Sequence, residues 1–390
     1  MELKNKLIKI INDKKTLLGV GPMSLNVVDS SIELSNFYNI PIMLIASRRQ
    51  VDIKELGSGY VEGWSTKQFA DYVKKKDRKK NIILCRDHGG PWQNQNEIKL
   101  KLSTRKAMES AKKSYHEDIY NDFQIIHIDP SISSVKKNST NDILNLIYEL
   151  YEFCHQTSKK YKKEILFELG TEEQNKGFNT IDELSYWINK IKLFCKKNKI
   201  PDPFFIVSQT GTKVMELKNI GSFDDDIRQK NQLPAEIQIP KIIKWASENN
   251  VYLKEHNADY LSNDALKWHP RLGIHASNVA PEFATTETNH LLYLLKYYNL
   301  KKERDLFIEI SVKSQKWKKW MMSDNKNKSD EYKARISGHY VFNNNEIKEI
   351  KNKLNYLMNK NNYNLNKELK KKIKDSILRY IYNFRLIENI

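Results

Sequence analysis

Eight short apolar runs rich in β-branched residues recur along the chain of 390 residues. They are LLGVGP (17–22), PIMLIAS (41–47), NIILCRDH (81–88), FQIIHIDPS (123–131), EILFELG (164–170), FFIVSQTG (204–211), VYLKEHN (251–257) and GIHASNVAP (273–281). Continuous apolar runs of this length suit strands buried on both faces, as in a parallel sheet. Most start about 40 residues apart, which leaves room for a loop and a crossover helix. The segments between them carry helical patterns. Residues 140–161 place Ile143, Leu144, Ile147, Leu150 and Tyr151 on one face. Residues 180–197 open with the capping-box phrase Thr180-Ile181-Asp182-Glu183. Residues 281–298 begin with proline, which helices accept in their first turn. Eight strands alternating with helices predict an α/β fold, a (β/α)8 barrel. The competing doubly wound sheet lacks support, because no GxGxxG follows any of the runs.

This pattern assigns residues 1–345 to the barrel, with a short amphipathic helix in MELKNKLIKIINDKK at its start. Residues 346–390 read as a lysine-rich helical extension packed on the barrel, a candidate subunit contact. The phrase RISGHYVF (335–342) stands alone, with a turn expected at its glycine and no role assigned by composition.

Composition narrows the function. With 39% hydrophobic and 29% charged residues, the chain suits a globular protein with a sizeable core. No apolar run approaches the ~18 residues of a membrane-spanning helix. The N-terminus lacks a signal-peptide pattern. Cys85, Cys154 and Cys195 form no CxxC pair, which fits a reducing cytoplasm. The net charge of +18 raises a nucleic-acid partner. Lysine far outnumbers arginine, however, and comes with much asparagine. From Glu346 to Ile390 there are eleven Lys/Arg against five Asp/Glu, so about a third of the excess lies in the tail. The charge therefore reads as solvated helix faces, and nucleic acid is not the expected partner.

In such a barrel the chemistry sits at the C-terminal ends of the strands, and these ends are unusually polar. The third run ends in Asp87-His88, and the fourth carries His127 and Asp129. The fifth ends in Glu168, followed by Glu172 and Glu173. The sixth ends in Gln209, the seventh in His256-Asn257, and the eighth holds His275, Ser277 and Asn278. One strand-end histidine more often ties a loop by hydrogen bonding. Imidazoles and carboxylates converging from several strands need a partner, and a divalent cation supplies one. Mixed nitrogen and oxygen donors suit zinc first, with manganese, nickel or cobalt as alternatives. Arg48-Arg49, followed by Gln50, offer a guanidinium for an anionic substrate group. SNVAPEF leads into a helix N-terminus, a second candidate anion site. His116, His155 and His290 lie in predicted helices, and Cys85 reads as an inert packed thiol.

Six phrases together resemble a known family. They are IASRRQVDIKELGSGYVEGWS, CRDHGGPW, HIDPS, FELGTEE, VSQTG and KEHNADY, in that order. They are similar to the so-called non-catalytic subunit family of class II tagatose-bisphosphate aldolase, over roughly residues 17–345. The resemblance implies a (β/α)8 barrel related to class II aldolases and to metal-dependent ketose 4-epimerases. It implies Asp87 as the proton-transferring acid, His88 as a metal ligand, and Asp129 and Glu168 at or beside the metal. It implies Glu172 or Glu173 as a base and His256 completing the ligand set. Arg49, Gln50, His127, Gln209, Asn257, His275, Ser277 and Asn278 are the candidate substrate contacts. Two departures matter. The strand-six histidine ligand of the catalytic aldolases is Gln209 here, and the HGGSG phosphate loop is absent. The expectation is a metal-dependent sugar or sugar-phosphate aldolase or epimerase. The alternative is a non-catalytic subunit that stabilises a partner aldolase, and either could form homo-oligomers.

Overall fold

The computed structural model of the chain describes residues 2–132, 139–170, 179–223, 234–325 and 327–387. All eight apolar runs form strands, and they close into one parallel barrel in sequence order. The strands are β1 (Leu17–Val20), β2 (Ile42–Ser47), β3 (Ile82–Gly89), β4 (Ile125–Ile128), β5 (Leu166–Leu169), β6 (Phe205–Ser208), β7 (Tyr252–Glu255) and β8 (Ala276–Val279). Closure runs through β1 and β8, with Leu17 opposite Ala276 and Val20 opposite Val279. A small antiparallel hairpin, Val214–Met215 with Lys218–Asn219, lies between β6 and β7.

Alternate residues along each strand face opposite ways. One set packs under the surrounding helices: Leu18, Val20, Leu44, Leu84, Ile126, Phe167 and Val279 join the main outer core. The other set fills the barrel. Leu17, Met43, Ile45, Ile83, Cys85, Ile125, Leu166, Phe205 and Ala276 form a separate apolar cluster there. Its floor is the N-terminal helix Glu2–Asn12, whose Leu3, Leu7 and Ile11 recur every four residues and join the same cluster. That spacing puts them on one face of the helix.

Helices Thr140–Tyr161 and Ile181–Asn198 each start at a complete capping box, on Ser139 and Thr180. The chain beyond the barrel is helical. Helix Leu365–Asn383 buries Ile373, Ile377, Tyr380 and Ile381 in the main core. It packs against Leu25–Tyr38 and Pro281–Tyr297, the helices that follow β1 and β8. The phrase 335–342 is helical too, as the end of Asp330–Ser337 and the 3-10 turn Gly338–Val341. Among the described residues, no helix is long and apolar enough to cross a membrane. All three cysteines are buried free thiols. Burial pushes the Cys85 thiol pKa up, so this side chain stays protonated and inert.

Candidate metal and substrate site

Two residues above the apolar filling, the inward positions become polar. Asp87 follows Cys85, His127 follows Ile125, Glu168 follows Leu166, and Asn278 follows Ala276. Lys254 and His256 arrive from β7. Asp87, His127, Glu168 and His256 each bring one donor atom into a group spanning at most 4.8 Å. His127 Nδ1 is 3.5 Å from Asp87 Oδ1 and 3.7 Å from Glu168 Oε1. His256 Nε2 is 3.7 Å from Asp87 Oδ1 and 3.3 Å from Glu168 Oε1. Four ligands about 2.1 Å from a shared tetrahedral centre stand about 3.4 Å apart. The donor set and its spacing fit a divalent cation, provided that His127 Nδ1 releases the His88 backbone N–H that it accepts at 3.1 Å.

Local backbone makes this arrangement possible. Gly170 ends the ELG phrase, and a Cβ there would lie 2.2 Å from His127 Nε2. Only glycine leaves room for that ring. After Asp87 the chain turns sharply, with His88 at φ 44° and Gly90 at φ 129°. Arg48 holds the turn by donating to the carbonyl of Gly90 at 2.7 Å. Arg48 is itself buried and paired with Asp52 at 3.0 Å and Glu97 at 2.7 Å. The two arginines thus divide: Arg48 is a structural anchor and only Arg49 lines the cavity.

His88 is placed differently from the four-residue group. Its Nδ1 sits 2.7 Å from Asp129 Oδ2, while Gln93 donates to the same oxygen at 3.0 Å. His88, His127 and Asp129 form a second cluster of metal-compatible spacing that shares His127. Burial alone would lower the His88 pKa, but Asp87 and Asp129 raise it to about 9. Burial would raise the Asp87 carboxyl, yet His88, His256 and His127 hold it well below the carboxylate range. Burial would likewise raise Glu168, and the Lys254 ammonium, His127 and His256 bring it to about 2. Lys254 Nζ is 2.6 Å from Glu168 Oε2, with both side chains 1% exposed. Burial lowers the His256 pKa and outweighs Asp87 and Glu168, which raise it.

Above the cluster lies a cavity of about 320 Å³. Asp87, His88, His256 and Asn278 face it from the strands, and Arg49, Gln50 and Asn257 from the loops. Asn278 Nδ2 reaches Asp87 Oδ1 at 3.4 Å. Gln209 lies just past β6, its backbone N–H donating to Asn179 Oδ1 at 2.7 Å, and it is not a wall of this cavity. Two expected contacts lie elsewhere. His275 precedes β8, at the opposite end of the barrel, where its Nδ1 accepts from the Leu253 N–H at 2.9 Å. Ser277 faces outward and donates to Glu255 at 2.8 Å, which also pairs with His269 at 2.6 Å. The helix N-terminus at SNVAPEF is already occupied: the Ala280 and Glu282 N–H groups donate to Asp259 Oδ1 at 2.9 and 2.8 Å. An incoming anion would have to displace that carboxylate. Glu172 and Glu173 lie outside the described residues.

Among the cavity walls that the sequence reading missed are Lys319, Trp320 and Tyr340. They come from the chain beyond the barrel. The phrase KWKKW (316–320) was a signal in retrospect, since it puts tryptophans and lysines together where a plain surface helix needs neither aromatic. Lys254 was missed as well. A lysine in the middle of a buried strand requires a buried counter-charge.

No protein-family model matches the chain, and no curated protein sequence matches it. Solved structures do. A probable tagatose 6 phosphate kinase from Sinorhizobium meliloti 1021 superposes with a TM-score of 0.74 at 14% identity, covering 95% of this chain and 100% of that one. The YdjI aldolase from Escherichia coli K12 gives 0.52 at 12% identity, covering 98% and 96%. Fructose-bisphosphate aldolase from Campylobacter jejuni gives 0.54 at 12% identity, covering 99% and 95%. The chain shares its barrel fold with these structures. At these identities the likeness speaks for architecture, and the chemistry rests on the side chains described above.

Proposed function

We propose that the protein is a metal-dependent enzyme acting on a ketose or ketose phosphate, as an aldolase or a 4-epimerase by retro-aldol chemistry. The observation that carries this reading is the convergence of Asp87, His127, Glu168 and His256 at ligand spacing under a substrate-sized cavity. The names of the similar structures point to phosphorylated ketohexoses. Those four residues would hold the cation, with zinc the first choice for two imidazoles and two carboxylates. When bound, it would supply the positive charge that stabilises a developing oxyanion at the ketose carbonyl.

The chain's own residues do the rest. Asp87 is ionised and faces the cavity, so beside its bond to the cation it can accept a hydrogen bond from a substrate hydroxyl and orient it for proton transfer. The protonated His88, braced by Asp129, presents a positive edge to the same space. Lys254 keeps Glu168 ionised from below. Asn278 orients Asp87 from β8. Retention of the cleaved fragments, rotation of the aldehyde and re-addition would give epimerisation, whereas their release would give aldol cleavage.

One observation favours the alternative of a non-catalytic partner subunit: the strand-six histidine of the catalytic aldolases is Gln209 here. His127 answers it, because it contributes a second imidazole from β4. The discriminating experiment is turnover of ketoses and ketose phosphates with added zinc, manganese, nickel or cobalt, compared with Asp87→Asn and His256→Ala. The enzyme reading expects turnover that falls by about 100-fold or more in either variant. No turnover in the wild type, together with co-purification with a second barrel subunit, would establish the scaffold instead.

A further inference from the structure

Lys254 stands one layer below the donor cluster. Its backbone is level with Ala276 on β8, and Ala276 belongs to the apolar filling. The side chain comes from the middle of β7 and is 1% exposed. Its apolar stem lies in that filling, as the stem of a buried lysine prefers. Nζ lies 5.6 Å from the centre of the Phe205 ring and donates to Glu168 Oε2 at 2.6 Å. A methionine would fill the same space with no charge to bury. Replacing a buried ion pair by apolar residues of similar volume is often neutral or stabilising, so stability alone does not account for this lysine.

The two oxygens of Glu168 are divided. Oε2 is held by Lys254, and Oε1 faces the cluster, 3.3 Å from His256 Nε2 and 3.7 Å from His127 Nδ1. Asp87 and Glu168 bring two carboxylates into that cluster. Lys254 offsets one of the two charges from below, so the four donors stand together before any metal arrives. A divalent cation among them then shares a carboxylate with a full positive charge. The two cations repel one another across a buried, weakly screened space. Glu168 has Oε1 alone to give, because turning Oε2 toward the metal would strand the ammonium.

We infer that Lys254 is a resident counter-cation that competes with the metal for Glu168: it keeps the donor cluster assembled without a metal and weakens the hold on a bound one. The inference rests on the cation site proposed above and adds what governs its occupancy. Lys254 touches neither the cavity nor a substrate in this account; it acts through Glu168, as a positioning residue.

The test is zinc affinity, measured by competition with a chromophoric chelator, for the full chain and for Lys254→Met and Lys254→Gln. Methionine fills the space, and glutamine keeps a donor for Oε2 without the charge. Each variant should bind zinc about tenfold more tightly than the wild type, or better. Its zinc-free form should melt lower than the wild type, and added zinc should raise its unfolding midpoint by more. A lysine that only supported the fold would, on removal, loosen the donors and weaken zinc binding. Should one variant fail to fold, the other carries the comparison. The inference is overturned if the folded variants bind zinc less than about threefold more tightly than the wild type, or more weakly. It is also overturned if none of the three proteins binds zinc. Zinc bound by the variants and not by the wild type would support the inference and count against the metal-dependent enzyme alone.

Discussion

The lower and upper halves of the barrel interior are built from the same strands and differ in kind. Below, Met43, Ile45, Ile83, Cys85, Ile125, Leu166 and Phe205 pack against the N-terminal helix. Two residues further along β3, β4 and β5 stand Asp87, His127 and Glu168. The lower layer is stabilised by apolar burial, which tolerates volume-conserving change. The upper layer is stabilised only while its charges remain matched, because an unpaired buried charge is costly. The apolar plug makes the barrel rigid enough to hold charged groups at fixed separations. It also keeps water from reaching them from beneath.

The largest effect should come from unmatching the upper layer. Glu168→Ala leaves the Lys254 ammonium buried at 1% exposure without its 2.6 Å partner. Urea unfolding should show a loss of about 3–5 kcal/mol. The double change Glu168→Leu/Lys254→Met extends the apolar character upward. It should recover most of that stability while abolishing metal binding. A single variant as stable as the wild type would show that the two layers do not differ as described. Next comes the lower layer. Leu7→Ala removes a fully buried side chain from the floor and should cost about 2–5 kcal/mol. Turnover per folded molecule should not change.

A smaller effect concerns the rim. Burial, helped by the nearby Glu282 carboxylate, pushes the Asp259 carboxyl from 3.8 to about 7, against the lowering by its backbone hydrogen bonds. A carboxyl whose folded pKa is raised contributes stability that is present below its unfolded pKa and is lost as pH rises through the folded one. Asparagine keeps an oxygen for the same two N–H groups and does not ionise. Asp259→Asn should therefore flatten the decline in unfolding midpoint between about pH 4 and pH 7. An unchanged slope would rule out Asp259 as its source. The smallest effect is expected at the far end. His275→Ala removes one acceptor from the Leu253 N–H and should cost about 0.5–1.5 kcal/mol. Metal content and turnover should stay as in the wild type.

The strands were legible because each is a continuous apolar run, and the helix starts because their caps are local. The expected architecture, an α/β barrel of eight strands with helices following, is the one observed. The metal-compatible cluster was legible in part. Glu168 and His256 were read as ligands and Asp87 as the acid beside them, and all three point inward at strand ends, where a period of two finds them; His88 and Asp129, also read as ligands, stand in the second cluster. His127 was read as a substrate contact, and only the relative heights of β3, β4, β5 and β7 put it among the donors. Ser277 and His275 were misplaced for a related reason. The run from 273 to 281 does not reveal that β8 begins at Ala276, and this start sets which residue lies below and which faces out. Arg48 and Arg49 are neighbours with opposite fates, decided by buried acids at Asp52 and Glu97. Trp320 and Tyr340 meet the cavity through tertiary packing of the chain after the barrel, which the phrase KWKKW flags but does not place.

The central claim is that Asp87, His127, Glu168 and His256 form one cation site. Its most direct test is elemental analysis of the purified chain, reconstituted with zinc and then dialysed, beside His127→Ala and His275→Ala. Stoichiometric metal in the wild type and in His275→Ala, with loss in His127→Ala, is the predicted result. Equal metal in all three proteins, or none in any of them with zinc, manganese, nickel or cobalt, would contradict it.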